Sequence, residues 1–228
     1  MDTKQKILDA AERLIATQGF AGTSLRQIIS EAGVNLAAVH YHFGSKQDLL
    51  DHVILRKAAA VNEERRRLIE QFEAEAGPGP VSVERVLTAF FEPMIEAGAR
   101  NPQFVKLMGR MYGEGLLPAL IEKHFQPTLT RFAQALQRAR PELSQGELRW
   151  RMQFMFGAMS QAVCGQDMFP QMSVQADDSA FALVMRRLMV FLCAGFQAAI
   201  TPEAETDEGN RYSVGHSPVP AGDSPKSC

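Results

Sequence analysis

The sequence has little of what stapled, secreted or membrane proteins depend on. Its three cysteines, Cys164, Cys193 and Cys228, are odd in number and widely spaced, and no C-x-x-C occurs. That argues against a disulfide framework and against a thiolate metal site. Cys164 and Cys193 lie in apolar helical stretches and read as core residues. No apolar run reaches the roughly 20 residues needed to span a bilayer. The opening M-D-T-K-Q-K runs into an amphipathic helix with no signal-peptide pattern. A cytoplasmic protein with no membrane partner is therefore expected. An excess of charge of one sign is also missing, since 24 Lys and Arg stand against 26 Asp and Glu, a net charge of -2. This weighs against a general polyanion binder, but not against a reader of DNA that places a few cations well. Strand-like alternation and internal repeats are absent, so an all-α fold is expected.

What is present is helical periodicity punctuated by caps. Residues 3–18 carry a stripe of Ile7, Leu8, Ala11, Leu14 and Ile15, ended by Gly19, with Phe20 placed to pack back on it. Residues 45–76 hold no Gly or Pro, which predicts one helix roughly 45 Å long. Leu49, Leu50, Val53, Ile54 and Val61 form its apolar side. Arg65, Arg66 and Arg67, beside Glu63 and Glu64, read as a solvated face with i,i+4 pairs. A helix of this length should cross from a small domain into a second one and act as a lever between them. Gly77-Pro78-Gly79-Pro80 is the clearest break. Helices are then expected over about 82–99, 102–112, 116–139, 144–166 and 178–200. Asn101-Pro102 and Ser144 with Glu147 are helix starts, and Pro170 and Asp177-Asp178-Ser179 punctuate the last two. From Thr201 the chain turns to Pro, Ser, Gly and acids, the composition of a disordered tail that includes Tyr212 and His216. The expected organisation is a three-helix head over residues 1–48, a larger helical body over 49–200 and a tail over 201–228.

The stretch 23–46, T-S-L-R-Q-I-I-S-E-A-G-V-N-L-A-A-V-H-Y-H-F-G-S-K, organises the rest. Ser24 with Gln27 three residues on is a capping box. Leu25, Ile28, Ile29 and Ala32 follow on one face, and Gly33 sits where a left-handed residue ends the helix. Asn35 caps a second short helix carrying Ala37, Ala38, Val39, His40 and Tyr41. Gly44 breaks it and Ser45 caps the next. Two short helices across a tight turn, with small residues on the second, suit insertion into a DNA major groove.

T-S-L-R-Q-I, then A-G-V-N, then Y-H-F-G-S-K, in this order and spacing, resembles the DNA-binding domain of the tetracycline-repressor (TetR) family over about residues 3–55. Beyond about residue 60 the likeness is one of helical architecture only. The resemblance implies roles by position. Thr23 and Arg26, next to the capping Ser24, match positions that touch the DNA backbone and a base edge, and Arg26 would reach a guanine bidentately. Asn35, Leu36, Ala37 and Ala38 match the exposed start of a recognition helix. Tyr41 and His42 match an aromatic and a histidine near phosphates. Lys46 matches a lysine at the start of the fourth helix, where ammonium and helix N-terminus meet one phosphate. Phe43 reads as core. At His40 the family usually has tyrosine; a ring nitrogen would make a similar phosphate bond with a charge set by pH.

The resemblance further implies a homodimer on an inverted repeat of double-stranded DNA, a small-molecule inducer and no cofactor. The last two helices would supply a four-helix dimer face from Phe154, Phe156, Ala158, Ala162, Phe181, Val184, Met185, Leu188 and Phe191. A core role within one chain explains the same residues. The body is rich in methionine, which lines permissive apolar pockets. Met94, Met108, Met111, Met152, Met155, Met159 and Met168 fall there, with Arg110, Tyr112, His124, Gln126, Trp150 and Gln161 as polar candidates. Arg110 or His124 would meet a carboxylate or phosphate at a pocket mouth. An apolar or amphipathic inducer is expected, with repression in its absence; an activator stays open. An enzyme and a helical scaffold are the rival readings. Glu92, Glu96, Glu114 and His124 lack the spacing of a metal or acid–base site, and no H-E-x-x-H, G-x-S-x-G or phosphate loop occurs. A helical interaction scaffold without a DNA role predicts no salt-dependent binding to a duplex.

Overall fold

The computed structural model describes residues 2–164 and 178–200, where every regular element is a helix. Met168, Pro170, Asp177 and everything from Thr201 on, including Tyr212, His216 and Cys228, lie outside the described residues, as does the side chain of Cys164.

Helix α1 (Thr3–Gly22) is broken at Gly19, whose φ of 79° and ψ of 167° are open to glycine and strained for other residues. α2 (Leu25–Ala32) and α3 (Leu36–Phe43) complete a small head. Ile7, Leu8, Ala11, Ile15, Ile28, Val39 and Phe43 bury together there, because each stripe repeats at helical spacing. The caps are as expected. Ser24 and Gln27 form the capping box, Gly33 ends α2 at φ 64°, and the Asn35 side chain accepts the Ala38 N–H at 2.9 Å.

Helix α4 (Lys46–Ala76) runs for 31 residues from its Ser45 cap. Its first half gives Leu49, Leu50, Val53 and Ile54 to the head cluster, while Val61 and Ile69 join a second cluster. One continuous helix therefore belongs to both. Buried Glu12 of α1 clamps it, accepting from Arg56 at 2.6 Å and Lys57 at 3.0 Å.

The second cluster is built by α5 (Val83–Arg100), α8 (Gln126–Ala139), α9 (Gln145–Cys164) and α10 (Asp178–Gln197) around Phe90, Phe91, Leu136, Met155, Met185 and Phe196. Arg151 closes the end of α10, donating to the carbonyls of Gly195, Phe196 and Ala198 at 2.9–3.0 Å. Between the clusters lie α6 (Pro102–Gly113) and α7 (Leu117–His124).

Three expectations change. The helix expected over 116–139 is two, α7 and α8, divided at Phe125 because Pro127 stands in the first turn of α8 and has no N–H to continue α7. Ser144 does cap α9 through the Glu147 N–H at 3.2 Å, but the Glu147 carboxylate turns to Arg151 at 2.7 Å, so that box is one-sided. The three arginines of α4 divide. Arg66 pairs with Glu63 and Glu70 and Arg67 with Glu64 on a solvated face, whereas Arg65 is buried, only 8% exposed.

Candidate nucleic-acid interface and ligand cavity

On the head, the caps hold α2 and α3 across a turn and leave one polar side uncovered. Ser24, Arg26, Asn35, Ala37 and His40 are exposed, Leu36 is 49% exposed and Tyr41 85%, while Ala38 and His42 are half-buried. An apolar-bodied tyrosine so far into solvent has no packing role to explain it. His42 meets the Tyr41 ring edge-on at 5.1 Å, and His40 Nδ1 lies 2.8 Å from the Gly44 carbonyl, closing the end of α3.

Two of the expected contacts turn inward. Thr23 is 2% exposed and its hydroxyl donates to the Gly19 carbonyl at 2.6 Å, so it seats the break in α1 instead of facing a duplex. Lys46 donates to the Phe20 carbonyl at 2.5 Å and lies 4.2 Å from the centroid of that ring. The ammonium thus holds Phe20 in place.

The body has two adjoining spaces that share a wall of Arg65 and Phe90. One is an open cleft of about 450 Å³ between α4, α5 and α8, with Asn62, Arg66, Thr128 and Arg131 on its rim and Ile69 and Phe132 beneath. The other is an apolar slot of about 60 Å³ lined by Val61, Met94, Phe104, Met108, Phe156 and Met159, with Tyr112 and Phe125. Arg65 Nε donates to the Phe90 carbonyl at 2.8 Å, Nη1 to Asn62 at 3.1 Å, and the guanidinium sits 3.9 Å from the Phe90 ring centroid. Burial pushes its pKa down to about 10, so it stays protonated near neutral pH. Pro93 leaves the neighbouring Ala89 carbonyl without its helical donor, one residue before the carbonyl that Arg65 meets.

Of the ligand residues expected from the sequence, the slot gathers Met108, Tyr112 and Met159. Met155 is core. Met111 is fully buried in the head cluster, and Arg110 donates to the Thr17 carbonyl at 3.1 Å. His124 faces Asp51 of α4 at 3.4 Å, beside the Asp51–Lys123 ion pair. Trp150 is half-exposed and stacks on Phe154 at 5.9 Å. Arg65 was missed, although it sits four residues after Val61 and four before Ile69 on the buried stripe of α4.

Helix α6 touches both regions. Phe104, Met108 and Tyr112 line the slot, and Leu107 and Met111 enter the head cluster one position away. At its end, the Glu114 carboxylate accepts the N–H groups of Phe20 and Ala21 at 2.8 and 3.0 Å. Those are amides that the break at Gly19 leaves without helical acceptors. Glu114 was read in the sequence only as a poor metal or acid–base candidate.

The outer face of α9 and α10 is apolar. Trp150, Phe154, Leu183, Val184, Val190 and Phe191 are exposed at helical spacing, Phe154 by 66% and Phe191 by 70%. Of the residues expected at a dimer face, Met185 is buried and Phe156, Phe181 and Leu188 pack on the core instead. Among the described residues no group of three or more His, Cys, Asp or Glu is arranged to hold a metal, and no helix is long and apolar enough to cross a membrane.

Two family models match this chain: bacterial regulatory proteins of the tetR family over residues 7–53, and the tetracyclin repressor-like C-terminal domain over residues 87–195. The HTH-type transcriptional regulator SrpR of Pseudomonas putida is 30% identical over 149 residues, 64% of each chain. The HTH-type regulator AcrR of Shigella flexneri is 36% identical over 84 residues, 37% of each. The chain thus spans less than two thirds of the length of these curated relatives. Among solved structures, the transcriptional regulator FadR of Bacillus subtilis, in complex with stearoyl-CoA, aligns with a TM-score of 0.58 at 18% identity, over 84% of this chain and 98% of that one. At that identity the likeness is one of fold.

Proposed function

The chain belongs to the tetracycline-repressor family of transcriptional regulators, and on that premise we propose that it is a ligand-released repressor acting as a homodimer on an inverted-repeat operator. Each head lays α3 in a major groove. Leu36 and Ala37 meet base edges, Arg26 and Asn35 add polar contacts, and Tyr41, His40 and His42 bind phosphates. Lys46 and Thr23 act one step back, by holding the Phe20–Gly22 segment against which α2 is set. A single head reads few base pairs, so specificity requires two heads about one DNA turn apart, roughly 34–36 Å. The exposed apolar face of α9 and α10 is the surface that joins the two chains, and the division into head and body is the division of labour between reading and sensing.

The observation that carries this reading is the double engagement of α6. A ligand that widens the apolar slot displaces Met108 and Tyr112. The same rigid helix carries Met111, Arg110 and Glu114, which hold the end of α1. The heads then lose their spacing. The ligand shifts the population only through different affinities for the two states. The mixed lining of the cavity, charged on the rim of the cleft and apolar in the slot, supports an amphipathic inducer. Genomic-fragment selection with purified protein tests the proposal. Recovery of an inverted repeat, bound with a steep salt dependence, is the expected result. Failure to enrich any duplex would overturn it.

A further inference from the structure

Arg65 and Arg151 are the buried arginines among the described residues. Arg151 has Glu147 at 2.7 Å, whereas no described carboxylate lies within 4 Å of Arg65. A buried charge without a counter-charge is unfavourable, and the fold keeps one at the wall between two cavities. Its neighbours on the cleft are already matched: Arg66 by Glu63 and Glu70, Arg131 by Glu73.

We propose that Arg65 is the anion-binding group of this cavity, and that the ligand is an amphipathic molecule carrying a single carboxylate on an apolar body. This rests on the ligand-released reading above for its consequence, but not for the binding itself. The guanidinium is held in one orientation by Asn62, the Phe90 carbonyl and the Phe90 ring, and its Nη2 has no acceptor among the described residues. A preorganised fork of this kind meets a carboxylate directly. The charge count on the cleft sets the valence. Arg66 and Arg131 have their carboxylates in Glu63, Glu70 and Glu73, so Arg65 is the guanidinium on the cleft with none among the described residues, and one negative charge meets it. A polyphosphate would instead crowd several negative charges against Glu63 and Glu70. The apolar body has a place on the far side of Arg65 and Phe90, where Met94, Met108 and Met159 line the slot and enlarge it by changing rotamer.

The test uses the full chain and titration calorimetry without DNA. The probes are straight-chain carboxylates from hexanoate to palmitate, with the alcohols and trimethylammonium compounds of the same lengths. Wild type should bind at least one carboxylate about tenfold or more tightly than its alcohol. Arg65→Met should abolish that preference while the alcohols bind as well or better, and Arg65→Lys should keep part of it. Absence of any carboxylate preference in wild type, or a preference that survives Arg65→Met, would overturn the proposal. The wild-type series decides alone if the variant does not fold. Carboxylate held through Arg65 without release of DNA would overturn the inducer reading and leave the site standing. Release by alcohols or cations alone would do the reverse.

Discussion

Gly98 of α5 lies so close to Phe181 of α10 that a β-carbon at 98 would sit 2.6 Å from Phe181 Cε1, and 2.8 Å from Val105 Cγ2. No side chain other than hydrogen leaves α10 seated where it is. That seat sets which face of α10 turns outward, and so where a second chain would dock.

Gly98→Val is therefore expected to destabilise the protein by about 1–3 kcal/mol through overpacking, more than the few tenths gained in helix propensity. The urea midpoint measures it. An unchanged midpoint would mean that α10 does not rest on α5 in this way.

Glu114→Ala should free the Phe20 and Ala21 amides. Their acceptor is exposed, so the loss is modest, about 1 kcal/mol. Hydrogen exchange at these two amides should quicken about fivefold, with little change in the core of the body. Equal protection in both proteins would remove Glu114 from the link between α6 and the head.

Tyr41→Ala and Arg26→Ala should separate on DNA. Tyr41→Ala is expected to weaken binding to all sequences about equally and to leave the salt slope unchanged, as the loss of an uncharged phosphate contact does. Arg26→Ala should cost about 1–3 kcal/mol at one base position and relax specificity there. Anisotropy titrations on an operator and its single-base variants would show this; wild-type binding by both would overturn the assigned contacts.

The pair Phe154→Asp and Phe191→Asp places charge on the exposed apolar face of α9 and α10 without touching the core. Sedimentation should then report a single chain, and operator affinity should fall by tenfold or more because two heads no longer bind together. A dimer that persists would move the interface elsewhere.

Much of the head was legible because its signals are local. Ser24, Gln27, Gly33, Asn35 and Ser45 act through bonds or backbone angles within four residues, so order along the chain is enough to read them. The split at Phe125 was legible as well, since Pro127 cannot continue a helix, and it was read through. Arg65 is a different case. Its spacing from Val61 and Ile69 placed it on the buried stripe of α4, yet its charge and its neighbours Arg66 and Arg67 drew it to the solvated side. Only the Phe90 carbonyl and ring, brought up by α5, show why a cation can be held there.

Helical class, caps, the break at Gly19 and the composition of the reading helix follow from the order of residues, since each depends on periods and contacts of a few positions. Which methionines face a cavity, which cation lacks a counter-charge, and the grip of Glu114 on Phe20 across 94 residues of sequence were decided by packing. Burial and electrostatic partnership belong to surfaces that distant segments make together, and no local pattern encodes the far side of such a contact.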